Sequence, residues 1–322
     1  MPSPAPQPRY DDVLDAAARI APYAVATPVL RSDAIDALAG CQLAFKAESL
    51  QRGGAFKFRG ACNAVFALPP EAAARGVLTH SSGNHGAALA LAARLRGIAC
   101  HVVAPDGAVA SKLTLISAQG AVLHRCAATI AAREAMCAAL EQATQATVVH
   151  PYADPRVIAG QGTAVLELLG AAGGLDVVVV PVGGGGLASG TAIALAGCAP
   201  GVELVLAEPA GADETRRSLE SGTRVTDFVP ETICDGLRGT LGAPNFEILR
   251  AHGASVVAVG DAATVAAMKL VASRLRLLVE PSSAVALAAV LADPARFAGR
   301  RVGIVLSGGN VDIDRLPWMS AA

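Results

Sequence analysis

From residue 77 onward the chain alternates between short apolar runs and longer stretches in which apolar residues recur every three or four positions. The runs over 77–80, 99–104, 121–124 and 147–150 read as strands, and the stretches over 85–96, 110–118 and 129–143 between them as helices. Units of this kind in succession predict a parallel sheet covered by helices. A second series follows: a helical pattern over 157–169, a wholly apolar run over 177–182, a helix over 187–196, a strand over 202–207, helices over 263–275 and 282–291, and a strand over 302–306. Ahead of both, Asp11 is placed to cap a helical pattern ending at Ile20, 42–47 reads as a strand and 57–67 as a helix. The pattern predicts an α/β chain in which a smaller unit, 68–145, is inserted into a larger one made of 1–67 and 146–322.

Composition narrows this picture. Of 322 residues, 53% are hydrophobic and only 3% aromatic, so the core is large and aliphatic. A net charge of −1 gives no electrostatic footprint for nucleic acid or an anionic membrane. The uncharged run 177–202 is long enough to cross a bilayer, but Pro181 and four successive glycines break it into strand, loop and helix. The first residues, Met1-Pro2-Ser3-Pro4-Ala5-Pro6, lack the basic and apolar segments of a signal peptide. The chain ends soon after the last strand, so no appended regulatory domain is expected. Seven scattered cysteines, odd in number and never spaced Cys-x-x-Cys, point to reduced thiols in a cytosolic protein.

Four stretches carry chemistry. In Glu48-Ser49-Leu50-Gln51-Arg52-Gly53-Gly54-Ala55-Phe56-Lys57-Phe58-Arg59-Gly60-Ala61, one lysine stands between two aromatics at the start of a helical pattern. Partial burial lowers a lysine's pKa and makes it a nucleophile suited to carbonyl chemistry; the bland alternative is a solvated lysine at a helix start. Gly183-Gly184-Gly185-Gly186 joins the apolar run to a helix, where converging N–H groups at a positive helix end suit a phosphate. The same stretch, through Gly183, Gly185 and Ala188 with Glu203 or Glu208 further on, also fits a dinucleotide fingerprint and a nicotinamide-dependent oxidoreductase. Thr79-His80-Ser81-Ser82-Gly83-Asn84-His85-Gly86 follows a strand and opens a helix, a site for a carboxylate, or simply N-capping by Ser82 or Asn84. Leu306-Ser307-Gly308-Gly309-Asn310 ends the last strand, where ligands sit in open α/β sheets.

Taken together these stretches resemble the pyridoxal-phosphate-dependent serine/threonine dehydratase and serine racemase family, over nearly the whole chain from Thr27-Pro28 to Asn310. His150-Pro151-Tyr152, the run from Val157 to Thr163, Asp235-Gly236 and Glu280-Pro281-Ser282 add to the likeness. The resemblance implies fold type II, tryptophan-synthase-β-like: two three-layer α/β/α domains, the inserted 68–145 being a small mobile substrate domain. It implies that Lys57 bonds the cofactor aldehyde and Phe56 packs on its ring. Asn84 faces the cofactor's 3-oxygen, Gly183, Gly184, Gly185, Gly186 and Leu187 hold its phosphate, and Gly236 and Glu280 complete its contacts. Ser307 bonds the pyridine nitrogen and, unlike a carboxylate, leaves it largely unprotonated. The substrate carboxylate falls to Ser81, Ser82, Asn84 and His85, and Arg133 faces the substrate side chain, to pair a β-carboxylate or to stand as an ordinary exposed helix arginine. Lys57 and Ser82 are the catalytic pair. The serine at 82, where biosynthetic threonine dehydratases usually carry alanine, permits racemisation beside elimination. Glu208, Ala212 and Glu214 match a divalent cation site (Mg²⁺, Ca²⁺ or Mn²⁺), with glutamate where the family usually has aspartate; the bland alternative is a solvated acidic helix start. The expected activity is deamination of L-threonine, L-serine or L-threo-3-hydroxyaspartate to a 2-oxo acid and ammonia, by a cytoplasmic homodimer. Serine racemase is the alternative.

Overall fold

A computed structural model describes residues 7–108 and 110–319. Among the described residues ten strands form two sheets. The strands are β1 (Val29–Leu30), β2 (Gln42–Ala47), β3 (Val77–Thr79), β4 (Cys100–Pro105), β5 (Val122–Cys126), β6 (Thr147–Val148), β7 (Val177–Pro181), β8 (Glu203–Pro209), β9 (Ser255–Val259) and β10 (Arg301–Leu306). The larger sheet runs β1-β2-β10-β7-β8-β9 and the smaller β5-β4-β3-β6. Every pairing is parallel except β1 with β2.

The wholly apolar run at β7 is explained by burial on both faces, as a central parallel strand requires. Val177 and Val179 enter one core, Val178 and Val180 the other, and Val205 and Leu206 of β8 divide in the same way. The small sheet repeats the scheme: Val77 and Val102 pack on one side, Leu78 and Val103 on the other. Both units are therefore three-layered α/β/α. The small sheet takes in β6, just beyond the expected boundary at 145.

The larger unit holds its helices close enough to set the site. The long helix Pro155–Ala172 lies between the helices Lys57–Phe66 and Gly186–Cys198. A Cβ on Gly160 would meet Gly60 Cα at 2.6 Å, and one on Gly190 would meet the Gly162 nitrogen at 2.6 Å. Glycine at these crossings brings backbone onto backbone. The start of the lysine helix and the end of the glycine loop are thus fixed on one rigid frame.

The structure corrects the pattern in several places. The first helix is Tyr10–Ile20, and Asp12 rather than Asp11 closes it, its carboxylate accepting the Arg9 N–H at 2.7 Å. The helix expected over 263–275 is Asp261–Leu270 followed by a π-turn, Val271–Leu275, ending at Arg276 with φ of 59°. Helices Asp33–Ala39, Glu214–Ser221 and Ala243–Ala251 and strands β1 and β9 had no expectation at all.

Candidate active site

Lys57 opens its helix, and Phe56 is anchored by its own N–H on the Ser307 carbonyl at 2.9 Å, so the lysine turn is tied to the end of β10. Lys57 Nζ donates to the Pro151 carbonyl at 3.1 Å and lies 5.0 Å from the centre of the Phe56 ring. Part of the residue's surface remains exposed, yet burial around the ammonium pushes its pKa down to about 8, against the pull of Glu280. The amine is therefore held on a backbone carbonyl rather than standing free in solvent.

Two helix starts carry the other expected site residues, and neither has a side-chain cap; the Lys57 charge reaches His85 in the first, and Tyr152, next to Pro151, packs on the glycines of the second. The helix Asn84–Arg96 follows Gly83, and the capping alternative fails for Asn84. Its amide nitrogen donates to both oxygens of Glu280 (3.0 and 3.1 Å), and its oxygen accepts from Asn310 at 3.0 Å. Asn310 continues to the Gly53 carbonyl at 2.7 Å, so the loop before Lys57, the serine–asparagine loop and the chain end are joined by one amide relay. Ser81 Oγ accepts from the Gly83 N–H at 3.4 Å, and Ser82 lies beside it, half-buried. His85 is buried; its Nε2 pairs with the Val149 carbonyl at 3.2 Å while Nδ1 has no partner. Burial first, then the Lys57 charge, hold its pKa well below the usual imidazole value, so the ring is neutral.

The second uncapped start is Gly186–Cys198, whose N-cap Gly185 is left-handed at φ 90°. A Cβ on Gly184 would strike the Tyr152 ring at 2.3 Å, and one on Gly183 would come within 2.9 Å of Leu237 Cα. The glycines thus serve packing, a reason the sequence did not disclose. Asn245, buried beneath the loop, donates to the Tyr152 carbonyl (3.0 Å) and Ser189 (3.1 Å). Gly236 N–H donates to Ser282 Oγ at 2.9 Å beside the Glu280 helix start. Ser307 is buried at the end of β10.

Arg133, on the helix Ile130–Thr144, is half-buried. Its charge is felt at His80, where after burial it is the next cause lowering that pKa, and at Tyr152. It is near enough for its charge to reach both rings. Sequence reasoning gave no role to His80, His150, Tyr152 or Asn245; the first three lie in quoted motifs, whereas nothing around Asn245 flagged it.

Glu208 and Glu214 are each 1% exposed. Glu208 accepts the N–H groups of Thr215 (2.9 Å) and Arg216 (3.0 Å), and burial pushes its pKa up to about 7. Glu214 accepts from Leu241 N–H at 2.8 Å, while its other oxygen is buried without a partner. Two buried acids and an orphaned oxygen, beside buried Ala212, suit a hard cation. Among the described residues no cluster of three or more side-chain ligands forms, so such a site rests on these two carboxylates and a carbonyl. The dinucleotide alternative falls here. Glu203 stands at the opening end of β8 and is paired with Arg296 (2.5 Å) and Arg300 (2.7 Å), and Glu208 is consumed by backbone N–H groups.

The residues fit pyridoxal phosphate: an amine poised near neutral pH stands by an uncapped glycine helix start for a phosphate, with a neutral serine at a strand end. Comparison with known proteins agrees. The profile of the family described as "Pyridoxal-phosphate dependent enzyme" matches residues 20–308. A β-hydroxyaspartate dehydratase of Paracoccus denitrificans is 47% identical, over 97% of this chain and 99% of its own. The serine racemase of Dictyostelium discoideum is 45% identical over 95% of each chain. The solved maize serine racemase superposes with a TM-score of 0.94 at 43% identity, covering 96% of this chain and 95% of that one. This chain belongs to the pyridoxal-phosphate-dependent serine/threonine dehydratase and serine racemase family, with fold type II.

Proposed function

We propose that this protein is a pyridoxal-phosphate-dependent ammonia-lyase that deaminates a β-hydroxy amino acid to a 2-oxo acid. The observation that carries this reading is Lys57: an amine held on the Pro151 carbonyl, with burial pushing its pKa down to about 8. Pyridoxal phosphate supplies the electron sink that makes the substrate α-proton acidic. Lys57 takes that proton, which a lysine of ordinary pKa would do poorly at neutral pH because it would be almost wholly protonated. The N–H groups of the 183–187 turn would hold the phosphate, Phe56, Asn84, Gly236 and Glu280 would contact the ring, and Ser307 would bond its nitrogen. The Ser81–His85 loop holds the substrate carboxylate. In that loop neutral His85 donates from Nε2 to the Val149 carbonyl and supports the backbone there, leaving the carboxylate to the loop's N–H and hydroxyl donors. The unit around the small sheet, expected at 68–145, carries this loop and Arg133 and closes over the substrate.

Arg133 favours a substrate with a β-carboxylate, 3-hydroxyaspartate, over serine and threonine. A second reading, racemisation, is supported by Ser82, whose hydroxyl supplies a proton donor distinct from Lys57. The Glu208–Glu214 pair, with the Ala212 carbonyl, would hold Mg²⁺, Ca²⁺ or Mn²⁺. All seven cysteines are free, which supports a reducing, cytoplasmic setting, and no helix among the described residues is long and apolar enough to cross a membrane. The assembly is proposed as a homodimer, to be measured by light scattering.

Proton NMR in D₂O of the loaded protein with L-threo-3-hydroxyaspartate, L-serine and L-threonine in separate tubes tests the assignment. Oxo acid forming fastest from hydroxyaspartate is expected. Loss of the α-proton signal without oxo acid would make racemisation the main activity, and no change in any tube would overturn both readings.

A further inference from the structure

Four successive residues leave the small sheet after β6, and each touches a different part of the site. The Val149 carbonyl pairs with His85 at 3.2 Å. The His150 ring stands edge-on to His80 (centroids 5.2 Å apart) and to Tyr152 (4.5 Å). The Pro151 carbonyl accepts from Lys57 Nζ at 3.1 Å. The Tyr152 ring fills the space where Gly184 has no side chain.

One peptide in this segment links two of these contacts. The Pro151 carbonyl and the Tyr152 N–H belong to the same planar unit, and in a trans peptide they point in opposite directions. No cis peptide is present among the described residues. The Tyr152 N–H donates to His150 Nδ1 at 3.4 Å, and the Ala153 N–H donates to the same atom at 3.1 Å. Anchoring the N–H of this peptide on one side therefore aims its C=O toward the lysine on the other.

We propose that His150 is a positioning residue for Lys57: by accepting the Tyr152 and Ala153 N–H groups at Nδ1, it fixes the Pro151–Tyr152 peptide and holds the Pro151 carbonyl on the lysine amine. The inference rests on Lys57 being the base. An imidazolium has no acceptor, so the role requires a neutral ring. Burial, followed by the charges of His80 and Lys57, pushes the His150 pKa down to about 4 against the opposing pull of Asp154, so the acceptor persists at every pH at which the enzyme would work. A base whose ammonium has one fixed acceptor keeps one direction toward the α-carbon, and small misplacements of such a group are costly.

Two variants separate the acceptor from the ring. His150→Phe keeps an aromatic edge against His80 and Tyr152 but has no acceptor; His150→Asn keeps an acceptor but has no ring. The first readout needs neither cofactor nor turnover. The chain has four lysines, Lys46, Lys57, Lys112 and Lys269, so limited acylation of the cofactor-free protein followed by peptide mass analysis reports on Lys57 alone. Losing the Pro151 acceptor destabilises the ammonium, and at pH 7 Lys57 labelling relative to Lys269 is expected to rise about fivefold in His150→Phe, while staying within about twofold of wild type in His150→Asn. The second readout is kinetic: kcat is expected to fall about 10- to 100-fold in His150→Phe with KM within about threefold, and to recover largely in His150→Asn. Unmoved Lys57 labelling in His150→Phe, or equal impairment of both variants, overturns the proposal. If His150→Phe does not fold, His150→Leu carries the same comparison. A wild-type protein without turnover would refute the proposed function but leave the labelling result to decide the role of His150.

Discussion

Lys57 and Arg59 stand two residues apart at the start of one helix, and their pKa values move in opposite directions. Arg59 is wholly buried and surrounded by acceptors. Glu48 meets it side-on at 2.7 Å twice, Glu167 adds bonds of 2.6 and 2.8 Å, and Thr27 supports Glu48 at 2.5 Å. Burial alone would lower the Arg59 pKa; the Glu48 and Glu167 carboxylates more than reverse that, so it is raised. Lys57 has a single carbonyl and the more distant influence of Glu280, and its pKa falls to about 8. Lys46 lies between these extremes: it shares Glu167 with Arg59, and burial still lowers its pKa. A cation kept charged by full pairing builds the frame, and one denied pairing becomes a reagent. The Glu48–Arg59 pair also closes the base of the segment that presents Lys57, so the two roles are mechanically joined.

The largest expected effect comes from removing the reagent. Lys57→Ala should abolish the yellow colour of the loaded protein and lower turnover by at least about 10³-fold, while leaving the thermal midpoint of the cofactor-free protein within a few degrees. Spectra and melting curves of the two proteins check this, and retained colour would break the comparison at its first term.

Next comes the frame. Arg59→Met leaves Glu48 buried without its charged partner, while the partly exposed Glu167 keeps Lys46, and should cost about 3–5 kcal/mol in urea unfolding, because a broken buried pair strands a charge. The double variant Glu48→Met/Arg59→Met should recover much of that loss, since apolar replacements for both partners often suffice. If the double is no more stable than the single, the pair is not the closure described above.

A smaller effect sharpens the comparison through pH. The Lys57 pKa is lower in the folded chain than in the unfolded one, so the unfolded state binds more protons above pH 8. Stability from this group therefore rises with pH between about 8 and the ordinary lysine value near 10.4. Buried cysteines act in the opposite sense, because burial pushes Cys62, Cys100 and Cys234 up to about 12, so the bulk curve mixes both. The quantity to measure is the difference in slope between wild-type and Lys57→Met apoprotein from pH 8 to 10. The wild type should gain more, and parallel curves would mean that Lys57 is not depressed.

How much of this was legible beforehand follows from the kind of signal each feature leaves. Val177 to Val180 announced a strand buried on both faces, and four glycines announced a special turn, because both are local in sequence. The rule separating Lys57 from Arg59 was half visible: apolar neighbours suggested a desolvated lysine, but the partners that keep Arg59 charged are Glu48, eleven residues away, and Glu167, over a hundred away. β1, with two residues, is too short to show a period, and β9, half-buried at the sheet edge, lacks the apolar density of β7. Asn245 and the Pro151–Tyr152 peptide act through space on groups from other elements. Backbone carbonyls carry no letter in a sequence, so the contact that holds Lys57 could not be read from one.

The smallest expected effect extends the comparison to acids. Glu208 and Glu214 are buried like Arg59 but, like Lys57, lack a charged partner that satisfies them: Glu208 is pushed up to about 7 by burial and then by Glu214, and the Glu214 pKa is also raised. A carboxyl with a raised folded pKa contributes stability that is present below its ordinary value near 4.5 and lost as pH rises through about 7. A divalent cation would offset that loss only where the acids are ionised. At ten times its Kd it should add about 1.4 kcal/mol, or about 2–4 °C in the thermal midpoint, at pH 8, and almost nothing at pH 5. Glu214→Gln should raise the cation-free midpoint at pH 8 and abolish the response. A response to Mg²⁺, Ca²⁺ or Mn²⁺ that survives this substitution, or that is equal at both pH values, would place the cation elsewhere and leave the acid pair as a cost the fold bears without a ligand.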